Sequence, residues 1–272
     1  MYKIGMSTFS NPINKDLFSK YRDGGIDAIE LSVKYDEIME QDFKKIKALS
    51  EEYGVDLWSF HLPFQPYGVM DISLPHTYRK TIDYFKEIIK RVSDIGVDKF
   101  VVHPSGEPIS DEDRPKLMDC AKNSLAELAE IAKSCNAVIA VEDLPRTCLG
   151  KNSSEIKELI SLNEDLRVCF DTNHLLSENP VDFIHALKDK IITIHVSDYD
   201  FINERHWLPG EGKLDWNGIL NAFKDINYNG VWMYEINFKC PNSISRSRDL
   251  TCSDFKRNAM EIFENRPLSI IK

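Results

Sequence analysis

The sequence predicts a closed (β/α)8 barrel, a single domain spanning residues 1–272, and three observations carry that expectation. Short β-rich runs alternate with helical patterns from one end to the other. There are eight such runs. No linker, low-complexity tract or composition shift divides them. Alternating βα units imply a parallel sheet, and eight of them in 272 residues fit a sheet closed on itself. A doubly wound open sheet is the competing arrangement. It usually has fewer strands and a Gly-rich phosphate loop after its first, whereas here the first strand runs into "STFSNPINKD", without a GxGxxG.

The strands follow in order as "KIGMSTF" (3–9), "AIELSV" (28–33), "DLWSFHL" (56–62), "KFVVHP" (99–104), "AVIAVEDL" (137–144), "RVCFDTN" (167–173), "IITIHVSD" (191–198) and "GVWMYEIN" (230–237). Breakers stand where turns are needed: Gly24-Gly25, Gly54, Gly96 and Asn229-Gly230 each come just before a strand. Helices are expected over "DEIMEQDFKKIKALSEEY" (36–53), "YRKTIDYFKEIIKRVSDI" (78–95) and "PKLMDCAKNSLAELAEIAKSC" (115–135). In the last, Leu117, Ala121, Leu125, Leu128 and Ala132 recur at helical spacing with Lys and Glu between them.

A hydrophobic content of 42% can build a sizeable core. The formal net charge of -10 argues against broad attachment to nucleic acid or to an anionic membrane. Six cysteines with no CxxC pair read as reduced thiols. "MYKIGMSTFS" lacks the charged lead and apolar run of a signal peptide, and no stretch approaches the roughly 20 apolar residues of a membrane span. A cytoplasmic protein is expected.

In a barrel of this kind the chemistry sits at the C-terminal ends of the strands. Residues two apart on a strand share a face. By that rule Val138, Ala140 and Glu142 face together, as do Cys169 and Asp171; Ile191, Thr193 and His195; and Val231, Met233 and Glu235. The second, third and fourth strands finish in Glu30, His61 and His103. Seven of the eight strands therefore end in an ionisable residue aimed at the mouth. Several carboxylates buried side by side are costly without a cation. Two Glu, one Asp and one His make an oxygen and nitrogen shell suited to one divalent metal ion: Mn, Mg, Co or Zn. Glu30 reads as a rim acid or substrate contact, and His76 and His185 as solvated.

With these residues in place the chain resembles the xylose isomerase-like barrels, which comprise sugar phosphate isomerases and epimerases, ketose 3-epimerases and endonuclease IV-type AP endonucleases. The resemblance rests on "VEDLPR", "CFDTNH", "IHVSD", "RHWLPGEGKLDW" and "MYEIN" and covers nearly the whole chain. It implies that Glu142, Asp171, His195 and Glu235 bind the metal and that His174 touches substrate. It also implies that Glu204, Arg205 and His206 lie on a loop closing over the site, where Gly210 and Gly212 permit a tight turn.

Two chemistries follow. In a sugar isomerase or epimerase, the metal stabilises an enediolate while Glu142 and Glu235 act as the acid/base pair on a ketose or sugar derivative. His61, His103, His174, Arg205 and His206 would then contact a small-molecule substrate. In the alternative, a zinc phosphodiester hydrolase acting on abasic DNA, His61 and His103 join Glu142 on a second metal, and His174, Glu204 and His206 hold a third. The acidic charge favours the sugar reading. Lys239, Arg246 and Arg248 after the eighth strand are weak candidates for a substrate phosphate.

Overall fold

The computed structural model describes residues 1–9, 11–64 and 68–271. The strands are β1 (Ile4–Ser7), β2 (Ala28–Ser32), β3 (Asp56–His61), β4 (Lys99–Val102), β5 (Val138–Glu142), β6 (Arg167–Asp171), β7 (Ile191–Val196) and β8 (Trp232–Tyr234). They pair in parallel in chain order, and β8 returns to β1 to close the barrel. Between and after them run α1 (Lys15–Gly24), α2 (Phe43–Tyr53), α3 (Tyr78–Ser93), α4 (Arg114–Ser134), α5 (Ser153–Leu159), α6 (Pro180–Leu187), α7 (Trp216–Asp225) and α8 (Cys252–Phe263).

Local chemistry sets the helix ends. The side chains of Asn14, Asp42, Asn152, Asn179 and Asp215 each accept a backbone N–H that the first turn leaves unpaired. Asp42 also explains a departure from the expected helix over 36–53. It caps α2 at Phe43, and the preceding residues make only a short 3-10 turn, Ile38–Glu40. On α4, Ala121, Leu125, Leu128 and Ala132 are buried as their spacing implies, while Leu117 is only partly covered.

Side chains alternate between two cores. Outward residues such as Ile29, Phe60, Phe100, Ile139, Phe170, Ile194 and Trp232 join the helices in one large cluster. Inside the barrel lie two small clusters, Ala28, Val231 and Met233 against Trp58, and Val101, Ala140 and Cys169 against Ile192. The interior is tight: a Cβ added at Gly5 would sit 2.5 Å from Val231 and 2.7 Å from Met233.

Trp58 and Ile192 mark places where the pairing register slips by one residue, on β3 and β7. The slip corrects the face expected for the seventh strand. Ile191 packs outward with the helices, Ile192 turns inward, and only Thr193 and His195 continue the interior face. Trp58 reaches across to donate its indole N–H to Thr193 Oγ1 at 3.1 Å, with Lys99 Nζ 4.0 Å from the ring centre. These contacts pack the N-terminal end of the barrel interior. All six cysteines are free thiols. Among the described residues no helix is long and apolar enough to cross a membrane.

Candidate metal centre and substrate cavity

Inward-facing positions at the strand ends converge because each strand delivers its last interior side chain to the same mouth. His195 on β7 lies at the centre of the cluster, wholly buried. Its Nδ1 is 3.0 Å from Glu142 Oε1, 3.6 Å from Glu235 Oε2 and 3.8 Å from Asp171 Oδ2. Its Nε2 is 3.0 Å from Glu30 Oε1 on the opposite side of the ring. Glu142, Asp171, His195 and Glu235 each offer a ligand atom within 4.8 Å of the others.

This donor set fits a divalent ion on three counts. Ligand atoms bonded at about 2.0–2.2 Å to one ion stand no more than about 4.4 Å apart, and the spacings around Nδ1 fall inside that reach. Asp171 Oδ2 is buried with no hydrogen-bond partner, an arrangement costly for a carboxylate unless a cation faces it. An imidazole caught between two carboxylates must also either carry two protons or turn one nitrogen to a cation.

The second oxygen of Glu142 has its own neighbours. His61 Nε2 lies 3.0 Å and His103 Nε2 3.1 Å from Oε2, making a second potential ligand group. His61 also donates from Nδ1 to the Leu62 carbonyl at 2.9 Å, so its contact with Glu142 requires a second proton. Although burial opposes the charge, Glu142, Glu30 and Glu235 push His61 up to about 9. Burial, with His61 and His174 nearby, lowers His103 instead. Burial together with the charges of Glu142 and Asp171 pushes Glu235 up to about 7 against the pull of His195. Glu142 is more deeply buried, but His195 and His103 hold it well below the usual carboxylate range. The two glutamates thus differ in proton affinity.

The third expected trio does not close into a ligand group among the described residues. His174 Nδ1 is 2.7 Å from the Asp143 carbonyl, and its Nε2 lies 3.8 Å from Glu204 Oε2. His206 turns Nδ1 to the Glu235 carbonyl at 3.0 Å. Arg205 stands apart from the cavity wall, paired with Asp200 at 2.8 Å and lying over Trp207. Arg246 and Arg248 are taken up by Glu211 and Asp254, each at 2.6 Å. His76 and His185 are exposed, as expected. Glu30 departs from the expectation of a rim acid: it is fully buried beneath the mouth.

Above the cluster opens a cavity of about 760 Å³ whose wall includes His61, His103, Glu142, His174, Glu204, His206 and Glu235. Phe9, Tyr35, Phe64, Glu107 and Arg146 also line it, and the Phe64 ring stacks on His103 with centroids 4.2 Å apart. The βα loops are tied to one another here. Arg146 grips Glu107 from the loop after β4 and reaches Asn203 Oδ1 at 2.7 Å and Glu204 Oε2 at 3.2 Å in the loop after β7. Arg146 and His206 both hold a positive φ, 54° and 51°, a conformation that non-glycine residues adopt only where surrounding structure enforces it.

Buried polar groups below fix that loop. Asn173 Oδ1 accepts the backbone N–H of Arg205 at 2.9 Å. Asp198 accepts four hydrogen bonds, from the backbone of Tyr199, Gly210 and Leu214 and from the Trp216 indole. Gly210 takes a φ of 97°, and a Cβ at Gly212 would fall 2.2 Å from Asp198 Oδ1, so the two glycines do serve the turn.

Residues 18–250 match the xylose isomerase-like TIM barrel family. The chain belongs to that family. It is 22% identical over 237 residues to the D-psicose 3-epimerase of Enterocloster bolteae, covering 80% of this chain and 76% of that one. A probable endonuclease 4 of Staphylococcus aureus is 27% identical over 203 residues, covering 65% and 66%. The crystal structure of a D-tagatose 3-epimerase-like protein superposes with a TM-score of 0.83 at 22% identity, covering 97% of each chain, which shows the shared fold. Both branches of the family are thus represented among this protein's relatives.

Sequence reasoning missed Glu107, Phe9, Phe64, Asn173 and Asp198 as parts of the site and its support. Arg146 and Asp198 stood inside the quoted "VEDLPR" and "IHVSD" runs, but Arg146's partners come from other loops and those of Asp198 from up to 18 residues further along its own, beyond a strand-by-strand reading.

Proposed function

We propose that this protein is a metal-dependent sugar isomerase or epimerase acting on a ketose or sugar derivative. The observation that carries the reading is that Glu142 and Glu235 both line the cavity beside one shared nitrogen of His195. Glu142, Asp171, His195 and Glu235 would hold one divalent ion, which would supply Lewis-acid polarisation of a ketose carbonyl. Glu142 and Glu235 come from β5 and the end of β8, so they approach a substrate carbon from different directions. One removes the proton next to the carbonyl, and the other returns a proton to the opposite face. Return to the adjacent carbon instead gives isomerisation. His61, His103, His174 and His206 supply polar contacts for hydroxyls, and Phe9 and Phe64 cover apolar carbon faces.

The second reading, phosphodiester hydrolysis, is favoured by one specific feature: Glu142 presents its two oxygens to two separate ligand groups. Against it stand the formal charge of -10 and the failure of His174, Glu204 and His206 to close into a third group among the described residues.

The test is incubation of the Mn- or Co-loaded protein with a ketose panel in deuterated water. Deuterium should enter one carbon next to the carbonyl. Glu142→Gln and Glu235→Gln should each lower turnover by roughly a hundredfold or more, as for loss of a general acid or base. Cleavage of abasic DNA with no exchange into any sugar would reverse the ranking, and near-normal turnover in both Gln variants would rule out the two-glutamate mechanism.

A further inference from the structure

Glu30 has no part in the proton transfer described above, yet it is fully buried and meets the central histidine of the cluster. Its strand, β2, lies across the barrel from β7, separated from it by β1 and β8. Its Oε2 accepts from His195 Nε2 at 3.1 Å and from the Ser59 hydroxyl at 2.8 Å. Ser59 is inside the barrel because β3 carries the extra residue at Trp58, which shifts the register next to Glu30. The slip therefore supplies the partner that orients the acid.

We propose that Glu30 is a positioning residue of the metal centre, which fixes His195 with Nε2–H toward itself and the Nδ1 lone pair toward Glu142, Asp171 and Glu235. A carboxylate accepts and never donates when ionised, so a ring nitrogen hydrogen-bonded to it at 3.1 Å carries the proton. Nδ1 lies just as close to Glu142 Oε1, at 3.0 Å, so without a cation both nitrogens would be protonated; with an ion held among Glu142, Asp171 and Glu235, Nδ1 is the nitrogen that faces it and gives up its proton, while Glu30 keeps the one on Nε2. The negative charge behind the ring also raises the basicity of Nδ1 toward a cation. The sequence leaves open which nitrogen of His195 would bind the metal and what holds the ring. The inference rests on the metal-dependent reading above.

The experiment titrates metal-free protein with Mn2+ by calorimetry and records the visible absorption of the Co2+ form, for wild type, Glu30→Gln, Glu30→Ala and Ser59→Ala. Loss of such an outer partner is expected to weaken metal binding about 10- to 100-fold, with Glu30→Gln at the lower end and Glu30→Ala at the upper. Ser59→Ala should move affinity in the same direction and less. The Co2+ bands should shift in both Glu30 variants while the melting of the metal-free Gln variant stays close to wild type. Should the Ala variant fail to fold, the isosteric Gln variant and Ser59→Ala carry the test. A folded Glu30→Gln protein with wild-type Mn2+ affinity and unchanged Co2+ bands would overturn the proposal, as would a wild type that binds no divalent ion. A shifted affinity in a protein that exchanges deuterium into no ketose would uphold it and sink the proton-transfer reading instead.

Discussion

Replacing Asp198 by asparagine should unlatch the loop that carries Glu204 and His206. Asp198 is wholly buried, and its carboxylate accepts from Tyr199 N at 2.8 Å and Leu214 N at 3.2 Å on one oxygen. The other oxygen accepts from Gly210 N at 2.8 Å and the Trp216 indole at 3.0 Å. Asparagine is nearly isosteric but has one acceptor oxygen and one NH2. Whichever way the amide turns, two of the four N–H donors meet another donor. Each buried donor left unsatisfied costs about 1–3 kcal/mol, so the substitution should cost about 2–6 kcal/mol, against roughly 5–15 kcal/mol for a whole domain. At roughly 2–4 °C per kcal/mol the midpoint should fall by on the order of 10 °C. Thermal melting followed by circular dichroism measures it, with Asp215→Asn, an exposed helix cap on the neighbouring turn, as the comparison. A midpoint within about 2 °C of wild type would show that the four contacts do not act as the latch described.

Arg146→Ala frees Glu204 and Glu107 at the cavity wall and should lower kcat/KM by on the order of tenfold to a hundredfold through misplacement of the loop, measured on whichever ketose shows exchange. Asp254 sits in the capping box that starts α8 and is held by Arg248 and Arg257; Asp254→Ala should cost about 1–2 kcal/mol by urea unfolding at pH 7. The Arg248 hydrogen bonds, helped by Thr251, depress its folded pKa against the opposing effect of burial. Its stabilisation is therefore complete above the unfolded value of about 3.9 and is lost as pH falls toward the depressed folded value. The gap between wild type and variant should close over that acidic interval.

The barrel was legible in the sequence because its two signals are local: period-2 strands and helical stripes, punctuated by Gly25 and Gly54, which both take left-handed caps. The ring of strand-end residues was legible for the same reason, since Glu142, Asp171 and His195 occupy the last interior positions of their strands. Alternation failed where one residue is added. The slip at Ile192 moved Ile191 to the outer core, and the slip at Trp58 brought Ser59 under Glu30. No local pattern marks such an insertion, because it is decided by pairing with a neighbouring strand. Arg146 meeting Glu107 and Asn203 is of the same kind, a contact among loops 39 and 57 residues apart.

Trp58 packs into the N-terminal end of the barrel interior, and the described cavity lies at the opposite end, among the strand-end residues. A cavity of this form fills from the bottom. His195 and Asp171 lie wholly buried at its floor, while the cavity wall begins with Glu142 and Glu235 above them. On the proposed reading, an ion held at this floor would have to arrive before a sugar and could not leave past one. Traffic through the mouth would then be ordered: substrate would trap metal, metal exchange would slow as substrate accumulates, and a chelator added during turnover would act only in the intervals when the cavity stands open.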